Sequence, residues 1–141
     1  MTRSEVREHI FKLLFRVEFN QVEDMPQQLL LYFEDPAQED GKKPPAPIPE
    51  KEEQYIRNKY AKIADMLKEL DELIDAAAKG WKSSRLGKVD LTILRLAVYE
   101  MKYDDDIPVG VAIDEAVELA KKFGQDESPA FINGILAKIA K

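Results

Sequence analysis

The chain has 141 residues and a formal net charge of −6, with 45% hydrophobic and 34% charged side chains. That length sets an expectation of one domain, and the composition supplies a core and excludes global disorder. With no cysteine and one histidine, His9, a disulfide scaffold, a thiolate zinc site and a cysteine nucleophile are excluded, and a His-based metal cluster or a Ser-His-Asp triad lacks its material. The longest uninterrupted apolar run, Leu29 to Phe33, falls far short of the roughly 20 residues a membrane helix needs. The N-terminal MTRSEVREH has no apolar secretory h-region. A soluble protein of the cytoplasm is the expectation.

The charge is unevenly spread. Residues 1–16 carry +2, residues 17–80 carry −7, residues 81–102 carry +3 and residues 103–141 carry −4. An acidic chain is a poor nonspecific binder of nucleic acid, yet two local basic segments survive. On charge alone, ordinary solvated helix faces are the preferred reading.

In chain order, residues 4–20 read as a helix capped by Ser4, with Val6, Ile10, Leu13, Leu14 and Val17 at three- and four-residue spacing. A second line on it, Arg3, Arg7, Phe11 and Phe15, advances four residues at a time along one edge. Asp24 is placed to cap a helix from about Pro26 to Phe33, whose inner face holds Leu29, Leu30 and Phe33. Residues 34–50, with five prolines of which four (Pro44, Pro45, Pro47, Pro49) crowd together, read as a loop. Its length makes it a tolerated insertion or a functional arm, and insertion is the preferred reading. Glu50 to Lys79 is helical throughout, with Tyr55, Tyr60, Ile63, Met66, Leu67, Leu70, Leu73, Ile74 and Ala77 inward and a break expected near Ala64–Leu67.

Gly80 suits the position after a helix, and Trp81 to Lys88 reads as a short helix or turn closed at Gly87. Asp90 then starts a helix that is apolar nearly all round, which predicts the central, most buried element. Arg95 inside that run requires a carboxylate or carbonyl partner. Asp104 to Pro108 is a turn. A helix from Val109 faces Val111, Ala112, Ala116, Leu119, Ala120 and Phe123 inward and stops at Gly124. Ser128-Pro129 reads as a cap and first turn for a last helix burying Phe131, Ile132, Ile135, Leu136 and Ile139. The fold class is all-α, with about seven helices and no internal repeat.

Catalysis finds no machinery. Asp71, Glu72, Asp75 and the Asp104–Asp106 run lie on polar faces or in a turn, where nothing separates their pKa values for acid–base work. No Glu-x-x-His pair suits a di-metal bundle, and no glycine-rich loop suits a phosphate. His9 reads as a surface or half-buried side chain. No enzyme activity, metal or cofactor is expected. Binding has better material, because RNA-binding proteins pair cations with planar side chains on which unstacked bases lie. The Arg3-Arg7-Phe11-Phe15 line has that character, with burial of Phe11 and Phe15 in the core an equal alternative. Asp90 and the Asp126-Glu127-Ser128 corner offer acceptors for base amino groups, although helix capping is the easier reading of both.

Three ordered blocks carry a resemblance: Val89-Asp90-x4-Arg95-Leu96-Ala97-x-Tyr99-Glu100-Met101; Ile107-Pro108-x-x-Val111-Ala112-Ile113-x-Glu115-Ala116-x-Glu118-Leu119-Ala120-Lys121; and Phe123-Gly124-x3-Ser128-x-x-Phe131-x-Asn133-Gly134-Ile135-Leu136. With Arg7-x3-Phe11-x-Leu13-Leu14-Phe15 at the front and Trp81-x3-Arg85-Leu86 between, the chain resembles the NusB family of bacterial transcription antitermination factors from residue 3 to 140, the loop aside. The resemblance implies a single NusB-like domain over 1–141, with one three-helix sub-bundle in 1–80, containing the 34–50 loop, and another in 81–141. It also implies a non-enzymatic protein that binds single-stranded boxA RNA of ribosomal RNA leader transcripts together with the small-subunit ribosomal protein NusE. The complex acts on RNA polymerase against premature termination. Mapped onto this chain, the RNA face would comprise Arg3, Arg7, Phe15, Asp90, Glu127 and Phe131, and the partner surface would lie around Arg85, Asp90 and the following helix.

The departures bear on affinity. Ser4 and Glu5 stand between Arg3 and Arg7 where the family is arginine-rich, Phe15 replaces a frequent tyrosine, Glu127 follows Asp126 in inverted order, and Ala130 stands where lysine is common. These changes predict weak intrinsic RNA affinity, with a log–log salt slope of about −2 for three cations at ~0.7 per neutralised phosphate. Two other readings remain: a helical interaction module that homodimerises without RNA, and the RNA-binding accessory domain of an RNA cytosine methyltransferase.

Overall fold

Seven α-helices and no strand form within the residues described, 1–34, 48–79 and 86–141 of a computed structural model. Most of the expected loop lies outside them, as do Gly80 and residues 81–85, including Trp81 and Arg85, of the short element expected over 81–88. The all-α expectation holds.

Helix α1 runs Arg3–Arg16 and is capped by Thr2, not Ser4. Thr2 Oγ1 accepts the Glu5 backbone N–H at 3.1 Å and also contacts the Glu5 carboxylate at 3.1 Å. Thr2-x-x-Glu5 is the spacing of a capping box, which Ser4 cannot supply because Arg7 stands three residues after it. A 3₁₀ turn, Val22–Asp24, leads directly into α2, Met25–Glu34, so Asp24 belongs to the turn and does not cap the helix. The inner face of α2 also differs from expectation. Met25 and Tyr32 are buried, whereas Leu30 is exposed and Leu29 and Phe33 are half-buried. Tyr32 is drawn inward by partners on α1. Its hydroxyl shares a short hydrogen bond with His9 Nδ1, and the Arg16 guanidinium lies 5.0 Å from its ring centroid.

Helix α3 spans Glu50–Ala64 and α4 spans Leu67–Ala77. The break falls within the stretch the sequence indicated. Ile56, Lys59, Tyr60 and Ile63 are the buried set of α3, at the i, i+3, i+4, i+7 spacing of one helix face. Tyr55, expected inside, is 47% exposed, because the true register puts an amphipathic lysine in the inward row and turns Tyr55 out.

Two compact units divide at Lys62/Ile63. The expectation set the division between sub-bundles at 80/81; the contacts place α4 with the C-terminal helices. The cause is visible in its neighbours: α4 packs on α5 (Lys88–Tyr103) and α7 (Ser128–Ala140), and Arg95 Nε and Nη2 on α5 donate to Asp71 Oδ1 and Oδ2 on α4, each at 2.8 Å. Arg95 thus finds the carboxylate its position demanded. Helix α5 is buried almost continuously from Leu91 to Glu100 and touches α4, α6 and α7, so it is the centre of this unit.

Helix α6, Val109–Phe123, buries Ala112, Ala116, Leu119 and Ala120, but Val111 is exposed and Phe123 only half-buried. At the α6–α7 corner, Ser128 is the first residue of α7 and no cap. Its buried hydroxyl instead accepts the Gln125 backbone N–H at 2.9 Å, closing the turn. A Cβ on Gly124 would meet Ser128 Cβ at 2.7 Å and the Ala120 carbonyl oxygen at 2.8 Å, so only glycine fits this corner.

Candidate nucleic-acid interface

The family resemblance implies six RNA-facing residues. Three lie on α1 in the N-terminal unit and three in the C-terminal unit, and each group is built separately.

On α1, Arg3 is exposed, Arg7 is buried (5% exposed), Phe11 is buried (3%), and Phe15 is half-buried. The line expected to form one edge therefore passes through the core. Four residues on a helix of 3.6 per turn advance about 40° beyond a full turn, so the line from Arg3 enters the buried face at Arg7 and leaves it after Phe11. Arg7 is held within the unit, which leaves Arg3 and Phe15 as the accessible members. Phe19, four residues further on in the turn that follows α1, is 60% exposed and was not among the candidate residues. Its signal was the continued four-residue spacing. Phe11 and Phe15 stack with centroids 6.0 Å apart and planes at 22°, and Phe15 meets Phe19 edge-on at 5.0 Å. Phe15 is thus braced on both sides, with part of its surface open.

In the C-terminal unit, Asp90 stands half-exposed in the first turn of α5, two residues inside the start at Lys88. Glu127 is exposed immediately before α7, and Phe131 is half-buried one turn later, its backbone N–H donating to the Glu127 carbonyl at 3.1 Å. The closed Gly124–Ser128 corner fixes this pair, so a carboxylate acceptor and an aromatic face are presented on successive turns. Phe131 lines an open cavity of about 340 Å³ together with Lys79, Gly134 and Lys138. Arg85, proposed for the partner surface, lies outside the described residues.

His9 does no chemistry here. Burial, with the nearby Lys12 charge, holds its imidazole below the ordinary value, and burial pushes the Tyr32 phenol up. Both groups are neutral near pH 7, and the phenol is positioned to donate to Nδ1. Among the described residues, no group of three or more His, Asp or Glu side chains could hold a metal, and no helix is long and apolar enough to cross a membrane.

The arrangement offers stacking surfaces, carboxylate acceptors and scattered cations, the parts of a single-strand RNA binder. Comparison with known proteins identifies the family. The profile of the NusB family matches residues 4–141. The transcription antitermination protein NusB of Agathobacter rectalis is 51% identical over 140 residues, covering 99% of this chain and 100% of that one. That of Lachnoclostridium phytofermentans is 45% identical, covering 99% and 98%. Among solved structures, T. maritima NusB superposes with a TM-score of 0.82 at 36% identity, over 99% of this chain and 91% of that one. A pair of antitermination factors, NusB and NusE in complex with dsRNA, shares the fold with a TM-score of 0.74 at 21% identity, over 99% and 98%. A match along nearly the whole chain, to relatives up to half identical, leaves one conclusion: the chain belongs to the NusB family.

Proposed function

We propose that this chain is a transcription antitermination factor of the cytoplasm that binds the boxA element of ribosomal RNA leader transcripts with NusE and suppresses premature termination by RNA polymerase. The observation that carries the reading is the near-full-length identity with proteins named for transcription antitermination. The NusE partnership draws on the fold relative crystallised with NusE and dsRNA. The protein is a binder and not an enzyme. Phe15 and Phe131 stack bases, Asp90 and Glu127 accept hydrogen bonds from base amino groups, and Arg3 takes a phosphate. Arg7 acts from behind, fixing α1, because its side chain is buried. Relatives that match along their full length favour this reading over an accessory domain of an RNA methyltransferase. A NusE-facing surface around Asp90 and the following helix remains part of the proposal.

The test is a titration of a short boxA-like single strand, with and without NusE, at two salt concentrations. Binding should tighten with NusE and fall at least tenfold in Phe15→Asp and Phe131→Asp, each checked for native helicity. Absence of binding in both conditions would remove the RNA function and favour a homodimeric interaction module, recognisable by an elution volume of twice the monomer mass.

A further inference from the structure

A second basic feature of the C-terminal unit is not used by the residues above. The C-terminal ends of α4, α5 and α7 converge, and they place Lys79, Lys102, Lys138 and Lys141 around an open cleft of about 480 Å³ whose floor includes Leu73 and Ala77. All four lysines are exposed, and no carboxylate among the described residues is paired with any of them. Lysine at a helix C-terminus complements the helix dipole, which accounts for one such residue per helix. It does not account for four converging on a shared apolar floor in a chain whose net charge is −6. Such a concentration of unpaired positive charge is complementary to a polyanion.

The cleft is continuous with the cavity beside Phe131, since Lys79 and Lys138 line both. Phe131 and Lys138 share one face of α7, seven residues and therefore about 10 Å apart along the axis. Between them lies Gly134, where an added Cβ would meet nothing within 4 Å, so the path along the helix is open. We propose that this cleft carries the RNA strand onward from Phe131, its lysines taking successive phosphates and its apolar floor the flank of the sugars or bases. The shared lysines favour RNA over an acidic protein segment, because they connect the cleft to a base-stacking aromatic. The inference rests on the RNA-binding reading and extends that footprint.

Two RNAs separate the two claims: a boxA-like strand just long enough to reach Phe131, and the same strand extended on both flanks with uridines. Wild-type protein should bind the longer strand at least tenfold more tightly. Lys102→Gln with Lys141→Gln, which line the cleft but not the Phe131 cavity, should abolish that gain while leaving the short strand within twofold, and should make the log–log salt slope for the long strand shallower by about 1.4, at ~0.7 per lost phosphate contact. Gly134→Leu, which fills the path without altering charge, should remove the gain too, and the Lys→Arg pair should retain it. Equal binding of both strands by wild type overturns the inference and leaves RNA binding intact. So does a double variant that keeps the gain, the result expected if an acidic protein segment occupies the cleft. Failure of wild type to bind either strand overturns both.

Discussion

The two compact units build their interiors from different materials. In Ile63–Lys141 the core is mostly aliphatic, although Thr92, Glu100 and Ser128 are buried too: α5 is buried nearly all round, and Ile93, Leu94, Leu96, Ile132 and Leu136 have almost no exposure. In Met1–Lys62 the interior takes in charge and aromatic rings. Arg7 and Lys59 are buried, Arg16 lies over Tyr32, and Arg57 lies 4.4 Å from the Phe33 centroid. The same unit leaves Phe19, Val22, Leu30 and Leu31 exposed. An aliphatic core draws its stability from area removed from water. The N-terminal unit relies more on long side chains whose stems pack while their charged ends meet rings and carbonyls. Such contacts are individually weaker and depend on geometry and pH.

Four substitutions break or sharpen that contrast. The largest effect belongs to the aliphatic centre: Leu94→Ala should cost about 2–5 kcal/mol, transfer and cavity terms together, read as a shift in urea midpoint. Next is the Arg95–Asp71 ion pair of the same unit. Asp71→Asn leaves Arg95 without its carboxylate, and with side chains 25% and 11% exposed the loss should be about 1–3 kcal/mol, below that of a fully buried pair. A loss as large as that of Leu94→Ala would show that this unit leans on polar geometry after all.

Gly124→Ala should cost about 1–2 kcal/mol, since the Ser128 side chain can shift but the Ala120 carbonyl cannot. Smallest is a pH effect confined to the N-terminal unit. The folded His9 pKa lies below its ordinary 6.5, so the unfolded chain takes up the proton first as pH falls. The stability from a neutral His9 is complete above about pH 6.5 and drains away as pH drops through the folded value. Urea midpoints at neutral and mildly acidic pH should therefore differ more for wild type than for His9→Gln. An equal difference in the two proteins would remove His9–Tyr32 from the account.

Legibility in the sequence follows the same divide. The central position of α5, the partner demanded by Arg95 and the break between α3 and α4 were all readable, because aliphatic periodicity and an isolated charge leave few arrangements. The inward row of α3 was not, because it includes Lys59, which hydropathy assigns to solvent; Tyr55 was preferred in its place. On α2, Tyr32 displaced Leu30 through partners on another helix, which no local pattern reveals. The α1 line reads as an edge, although four-residue steps drift about 40° each, so Arg7 and Phe11 lie inside; Phe19 lies past the helix end, in the turn that follows. Of the candidate RNA residues, the types were legible but their exposure was not. The lysine cleft was invisible for a different reason: its four members come from three helix ends that only folding unites.

The central claim is antitermination itself, and transcription measures it most directly. A template bearing a boxA-containing leader ahead of a terminator would be transcribed by bacterial RNA polymerase with NusE, with and without this protein, beside a template whose boxA is scrambled. The account predicts increased read-through on the boxA template, little change on the scrambled one, and loss of the increase in Phe131→Asp. Read-through that does not rise, or rises equally on both templates, would contradict it.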